Sequence, residues 1–427
     1  MLLFHFQSNS WLLIATAVCA IALQSPTYAD EGDWPRWRGP NGDGDSTEHD
    51  LLDAWPKEGP PIAWQTKGLG SGFSSVAVAG NQVFSLGEAD GQGFMICLDR
   101  QNGTEIWRAA FGKRQPNGTP TIDHDRVYGI SRDGVLACVA RDSGKIIWQV
   151  SFQDDFGGKE PTWGYSESPL VDGSEVIATP GSVEAHLIGL DKLTGDLRWE
   201  AALDPSAPRK GHGGAGYASP VISHAAGVKQ YITLTGIGLV SINATTHKTA
   251  WIYDKISNGT ANIPTPLVDG DYVLGSSGYG DGGTALLKIS RDHDELNWKE
   301  IYYFSAKEKQ NHHGGMILKD GHVFMGHGHN NGFPLCFDFL TGKDDWRPGR
   351  GPGRDSAAVA YADGHLYFRY QDATMALVSC TSKKYELKGQ FPLAVHNRES
   401  WPHPVIAGGM LFIRDQDDLV VYDVRKK

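Results

Sequence analysis

Two histidine-bearing stretches hold the side chains best suited to chemistry. Asn311-His312-His313-Gly314-Gly315 and Gly326-His327-Gly328-His329-Asn330-Asn331 bring four imidazoles close together in the chain. Imidazole exchanges protons near neutral pH and ligates borderline metals. In extended backbone His327 and His329 project to one side, which makes them a candidate metal pair. Spacing fixes no third ligand and no carboxylate, so hydrogen bonding among glycines is the competing role. Trp163-Gly164-Tyr165-Ser166-Glu167-Ser168 offers an aromatic platform with a carboxylate, and a buried Glu167 is costly without a partner. Lys210-Gly211-His212-Gly213-Gly214-Ala215-Gly216-Tyr217 and Gly278-Tyr279-Gly280-Asp281-Gly282-Gly283 are loops in which backbone amides can approach a ligand, with His212 and Tyr279 as side-chain contacts. Arg354, with Arg350, Arg369 and Arg414, can receive a carboxylate or pair with Asp355 and Asp415. The nucleophile elbow G-x-S-x-G, the P-loop and H-E-x-x-H are all absent from the sequence.

Positioning these loops requires a repeated element. Residues 187–199, LIGLDKLTGDLRW, alternate as a strand, turn at Thr194-Gly195 and return to Trp199. Aligned on this hairpin, Trp107, Trp148, Trp199, Trp251, Trp298 and Trp346 recur at spacings of 41, 51, 52, 47 and 48 residues. That period fits one four-stranded propeller blade per repeat. Eight residues before the tryptophans stand Asp99, Ala140, Asp191, Asn243, Ser290 and Asp338, mostly turn-capping side chains. Four before them stand Gly103, Gly144, Gly195, His247, Asp294 and Gly342, at positions expected to be left-handed. A degenerate seventh copy places Leu387 in the tryptophan position. An eighth is split between 418–423 at the end of the chain and Pro61-Ile62-Ala63-Trp64 near its start. Pairing the two pieces closes a ring and removes two sheet edges. The expectation is an all-β, eight-bladed β-propeller over 61–427. Residues 30–60, with Trp34-Pro35-Arg36-Trp37-Arg38, form an extension packed across the blades. In that extension Asn41, Asp43 and Asp45 have the alternate spacing of a calcium loop, but Ser46 and Leu52 replace its glycine and closing glutamate, which favours a solvated turn. The loops leading into each innermost strand share one rim with those joining second to third strands, and ligands of propellers collect there.

Composition narrows the classes of partner. A net charge of −11 without a basic block argues against nucleic acid. Trp11 to Leu23 is apolar and too short to span a bilayer, and Thr27-Tyr28-Ala29 suits signal cleavage before Asp30. A signal peptide over 1–29, export to the periplasm or beyond, and no stable membrane span after cleavage follow, with an uncleaved anchor as the alternative. Cys97, Cys138 and Cys336 each stand ten residues before a repeat tryptophan, so they occupy equivalent places in different blades and read as small core side chains.

Leu190-Asp191-Lys192-Leu193-Thr194-Gly195 through Trp199 resembles the tryptophan-docking repeat of the pyrroloquinoline-quinone-like (PQQ-like) β-propellers, and 61–427 fit that superfamily. It includes quinoprotein alcohol dehydrogenases and the BamB-type scaffold of outer-membrane protein assembly. In the dehydrogenase branch the quinone lies on a tryptophan beneath a disulfide of adjacent cysteines, beside calcium and a catalytic aspartate. By that resemblance Trp163 or Trp401 supplies a floor and Glu167 a calcium ligand, while this chain has no adjacent cysteine pair. The expectation is a propeller that binds a protein or small ligand on its loop-rich rim. The alternative is an oxidoreductase using PQQ with calcium, or another metal, on the same rim.

Overall fold

The hairpin at 187–199 takes the form its pattern requires. Leu187–Asp191 pairs antiparallel with Leu197–Ala201, with Gly189 opposite Trp199. The Asp191 carboxylate accepts the N–H groups of Leu193 and Thr194 at 2.7 and 3.0 Å, which holds the turn. Gly195 has φ +80°, and a Cβ there would lie 2.7 Å from Trp148 of the preceding blade. The indole thus docks on a glycine that only a left-handed turn can present, and Trp148 Nε1 donates to the Lys192 carbonyl at 3.1 Å. Trp107 on Gly144 and Trp64 on Gly103 repeat the contact. In the fourth blade His247, at φ +55°, replaces glycine and stacks on Trp199 with centroids 4.6 Å apart.

The fifth blade departs from the expected turn. Its strands Gly283–Asp292 and Glu295–Ser305 run on to an Asp292–Glu295 pair, leaving a two-residue turn. The left-handed residue is therefore His293, at φ +53°, and not Asp294. Trp298 also loses the docking place expected of it. The shift after Leu286 puts Tyr302 where Trp199 stands in its blade, and the Tyr302 hydroxyl donates to the Phe339 carbonyl at 2.8 Å. Trp298 is 41% exposed against 5–8% for Trp107, Trp148, Trp199, Trp251 and Trp346. Burying each of those large side chains stabilises the fold by about 1.5–3 kcal/mol.

The computed structural model describes residues 32–203, 214–397 and 399–427. The signal segment and His212 lie outside the described residues. Among these residues the strands form eight four-stranded antiparallel sheets, the blades of one propeller. Seven are built from consecutive strands. The eighth joins Val405–Ala407, Met410–Asp415 and Asp418–Asp423 to Ile62–Lys67, with Trp64 opposite Val421. Arg414 locks this joint from inside. Fully buried, it donates to the carbonyls of Ser74 (3.2 Å), Gly70 (3.0 Å) and Leu86 and to the Ser85 hydroxyl (2.8 Å), all in or leading into blade 1.

The segment before the ring crosses its axis and bonds to blade after blade. Trp34 bridges to Val78, and the Pro35 carbonyl accepts Ile122 N–H at 2.8 Å. Trp37 Nε1 donates to Thr265 Oγ1 at 3.0 Å and Arg38 to the Met316 carbonyl. Ser46 completes the circuit, donating its N–H to the Tyr361 carbonyl and its hydroxyl to the Ile406 carbonyl, both at 2.9 Å. The calcium-like spacing is spent locally: Asp43 accepts Asp45 N–H at 3.0 Å, and Asp45 pairs with Lys319 at 2.6 Å.

Candidate ligand cavity on the propeller axis

A cavity of about 450 Å³ opens on the rim that collects the lead-in and second-to-third-strand loops. Its size is typical of small-molecule sites. The cross-axis segment contributes Trp37 and Arg38, and the loops of successive blades supply the other lining residues. One wall is a ribbon of rings. Phe73 lies 4.3 Å from Trp401, and Trp401 4.6 Å from His313. His313 is 3.5 Å from His312, and His312 is 4.3 Å from His329. Tyr279 sets its ring edge-on to both His312 and His329 at 4.8 Å. On the axial side Trp37 packs against His403 at 4.4 Å, and His403 Nε2 lies 2.9 Å from the His313 carbonyl.

Burial sets the protonation of these rings. It lowers His312 to about 3, assisted by repulsion from His329. His403 falls to about 3 through burial and the charge of Arg38. His313 is driven well below its ordinary value by burial and by its three histidine neighbours, and burial also lowers His329. The cluster is neutral near pH 7, so each ring carries one N–H donor and one lone-pair nitrogen that can accept or ligate. Both ring nitrogens of His312 and Nε2 of His329 are buried without a hydrogen-bond partner.

Arg38 is the other unsatisfied group. It is 3% exposed, and one terminal nitrogen donates to the carbonyls of Asp43 (2.6 Å) and Met316. Its Nε and Nη1 have no partner. Burial lowers its pKa to about 10, against the opposing field of Asp43, so it remains cationic at neutral pH. A buried guanidinium with free donors favours an anionic or strongly accepting ligand group. Arg132 adds a second cation to the lining, and Glu399 is the one carboxylate among the described lining residues.

The structure gathers Trp163, Tyr279, His312, His313, His329 and Trp401 around this cavity. Four other candidates lie elsewhere. Tyr165 is buried against Phe152 at 5.1 Å and donates to the Pro180 carbonyl at 3.2 Å. Glu167, 3% exposed, accepts Thr179 N–H at 2.6 Å and is raised to about 7 by burial. Arg354 is a surface side chain beside Asp372 at 3.5 Å. His327 and His329 do not share a side. The strand His322–His327 ends at the first of them, and Gly328 and His329 turn with φ of +87° and +53°. His329 therefore swings to the cavity, while His327 Nδ1 accepts the Gln310 N–H at 3.2 Å. Arg369 is buried beside Asp415 at 3.4 Å, while Arg414 spends its donors on backbone carbonyls. Trp37, Arg38, Phe73, Arg132, Glu399 and His403 join the site without a local motif of their own. Only the unusual density of Trp and Arg over 34–38 signalled two of them.

The residues present do not fit a PQQ–calcium centre of the dehydrogenase kind. Cys97, Cys138, Cys336 and Cys380 are free thiols in four different blades, so no vicinal pair covers the cavity. Glu399 is the one carboxylate that the described lining offers, where calcium sites ordinarily gather several around the ion. Glu167, the carboxylate that resemblance would assign to calcium, is turned into the protein on Thr179.

Comparison with known proteins places the chain among propellers. A family model described as outer membrane protein assembly factor BamB matches residues 47–151 and 91–348. Among solved structures, quinohemoprotein alcohol dehydrogenase from Comamonas testosteroni superposes with a TM-score of 0.63 at 13% identity, covering 93% of this chain and 82% of that one. A europium-containing methanol dehydrogenase gives 0.63 at 13%, covering 90% of each chain. The computationally designed protein Ika8 gives 0.59 at 13%, covering 85% of this chain and 100% of its own. Two enzymes and a designed protein are equally distant in sequence, so the likeness shows the fold and no activity. Among curated proteins no sequence match is found.

Proposed function

Because this chain belongs to the BamB family of β-propellers, we propose that it is an exported binding protein that holds a small, flat ligand in its axial cavity and performs no chemistry of its own. The observation that carries this reading is the pairing of an aromatic wall with a buried, half-satisfied guanidinium, Arg38, beside the same 450 Å³ space. Aromatic rings favour a planar apolar body, and Arg38 favours a carboxylate or similar acceptor at its edge. A ligand of this kind is an aromatic or heteroaromatic carboxylate. Among the described residues no helix is long and apolar enough to cross a membrane, and the apolar stretch Trp11 to Leu23 supports export.

Titration of intrinsic tryptophan fluorescence with a panel of aromatic carboxylates tests the reading. Saturable quenching is expected, weakened about 10- to 100-fold by Arg38→Met, the loss of a charged hydrogen bond, and also weakened by Trp401→Ala. A panel without saturable binding overturns it. The alternative oxidoreductase is tested by adding PQQ and calcium and following alcohol-dependent dye reduction, where sustained turnover overturns the non-catalytic reading. Fractionation of expressing cells checks export.

A further inference from the structure

We propose that His312 and His329 form a two-imidazole seat for a late first-row transition-metal ion, open on the side that faces the axial cavity. His312 Nδ1, His312 Nε2 and His329 Nε2 are all buried and have no hydrogen-bond partner, on rings whose centroids lie 4.3 Å apart. Two imidazoles that share one ion at the usual metal–nitrogen length place their centroids about 5 Å apart. The observed separation therefore needs only a small opening. The His312–His313 pair, with centroids only 3.5 Å apart, is too close to hold an ion between its nitrogens. His313 Nδ1 is also beside Ser356 Oγ at 3.3 Å. Tyr279, edge-on to both proposed ligands, packs against both rings. Nitrogen donors without carboxylates suit copper, nickel or zinc over calcium or magnesium.

A second cluster, His322, Cys336 and Asp345, brings three ligand atoms within 4.8 Å of one another on the same blade. Its donors are already used. His322 Nδ1 lies 2.7 Å from Asp345 Oδ2, and Cys336 Sγ lies 3.5 Å from the same oxygen. The unpartnered nitrogens at His312 and His329 thus distinguish a seat from a satisfied hydrogen-bond network.

The seat lies in the cavity used by the proposed function and rests on that reading for its open face. Its test needs no organic ligand. Purified full-length protein is dialysed against Cu²⁺ alone, and bound copper and its electron paramagnetic resonance spectrum are measured. One ion per chain is expected, with hyperfine structure from imidazole nitrogen. His329→Ala, a loop substitution, and His312→Gln should each weaken uptake about tenfold or more, with circular dichroism confirming the fold. His322→Ala should leave uptake unchanged. No stoichiometric uptake, uptake unaltered by His329→Ala, or uptake lost in His322→Ala would each overturn the seat. A chain that binds aromatic carboxylates but no copper loses this inference and keeps the proposed function.

Discussion

At the scale of single residues, Glu167 gives the protein a pH-dependent stability. Burial raises its carboxyl from 4.5 to about 7, so the folded chain holds a proton that the unfolded chain releases first. Stability from this group is full below about 4.5, declines as pH rises to about 7, and stays reduced above it. Glu167→Gln keeps an acceptor for Thr179 N–H without the charge, and should flatten that decline and raise the melting temperature at pH 8. Thermal scans of both proteins from pH 4 to 8 check this, and parallel curves would refute it. In the buried pair Arg369–Asp415 each charge compensates the other. Arg369→Met leaves Asp415 uncompensated and should cost about 3–5 kcal/mol in urea unfolding, while Arg369→Met/Asp415→Leu should recover most of that loss. Neither residue's burial was legible in the sequence, because Ser-Glu-Ser and Arg-Tyr have the same local form on a surface or inside. Six of the candidate contacts converge on the cavity, since loop position in a repeat fixes the rim. Tyr165 and His327 do not, because one rotation of backbone or side chain turns a rim residue inward.

At the scale of the hairpin, local sequence and structure agree most closely. Turn chemistry and the docking tryptophan are local, so Asp191, Gly195 and Trp199 announce their roles within thirteen residues. The fifth blade is the exception, since strand length, set by pairing from Gly283–Ser305 to Asp292–Glu295, decides which turn residue is left-handed. Gly195→Ala combines a positive φ with a contact 2.7 Å from Trp148. It should destabilise the fold by about 1–3 kcal/mol, measured by denaturant unfolding. The same substitution at Gly173, which has positive φ but nothing within 4 Å of its missing Cβ, should cost less. Equal losses would show that backbone strain alone, not tryptophan docking, sets the cost.

For the whole molecule, ring closure was readable because an incomplete repeat at each end demands its other half. The cross-axis segment was not, since its partners lie hundreds of residues away and no periodicity records them. Arg414 is the closure residue most exposed to test. Arg414→Met leaves the carbonyls of Ser74, Leu86 and Gly70 without its donors, and should cost about 3–5 kcal/mol. Limited proteolysis should then release the strand Ile62–Lys67 sooner than in the wild type.

The path of the cross-axis segment also constrains the order of events when the chain is made. Its residues leave the ribosome before any blade, yet Ser46 bonds to Ile406, and Leu51 bridges to Arg425. The seven contiguous blades can form as they emerge, each from local pairings. The closing strand, and the contacts of the cross-axis segment with the eighth blade, must wait for residues 405–425. Until then the future ligand cavity lacks Trp401 and His403, which lead into the last blade, so binding competence is the final step of folding. Long-range closure of this kind is slow. In refolding, ligand binding should therefore lag behind the recovery of β structure.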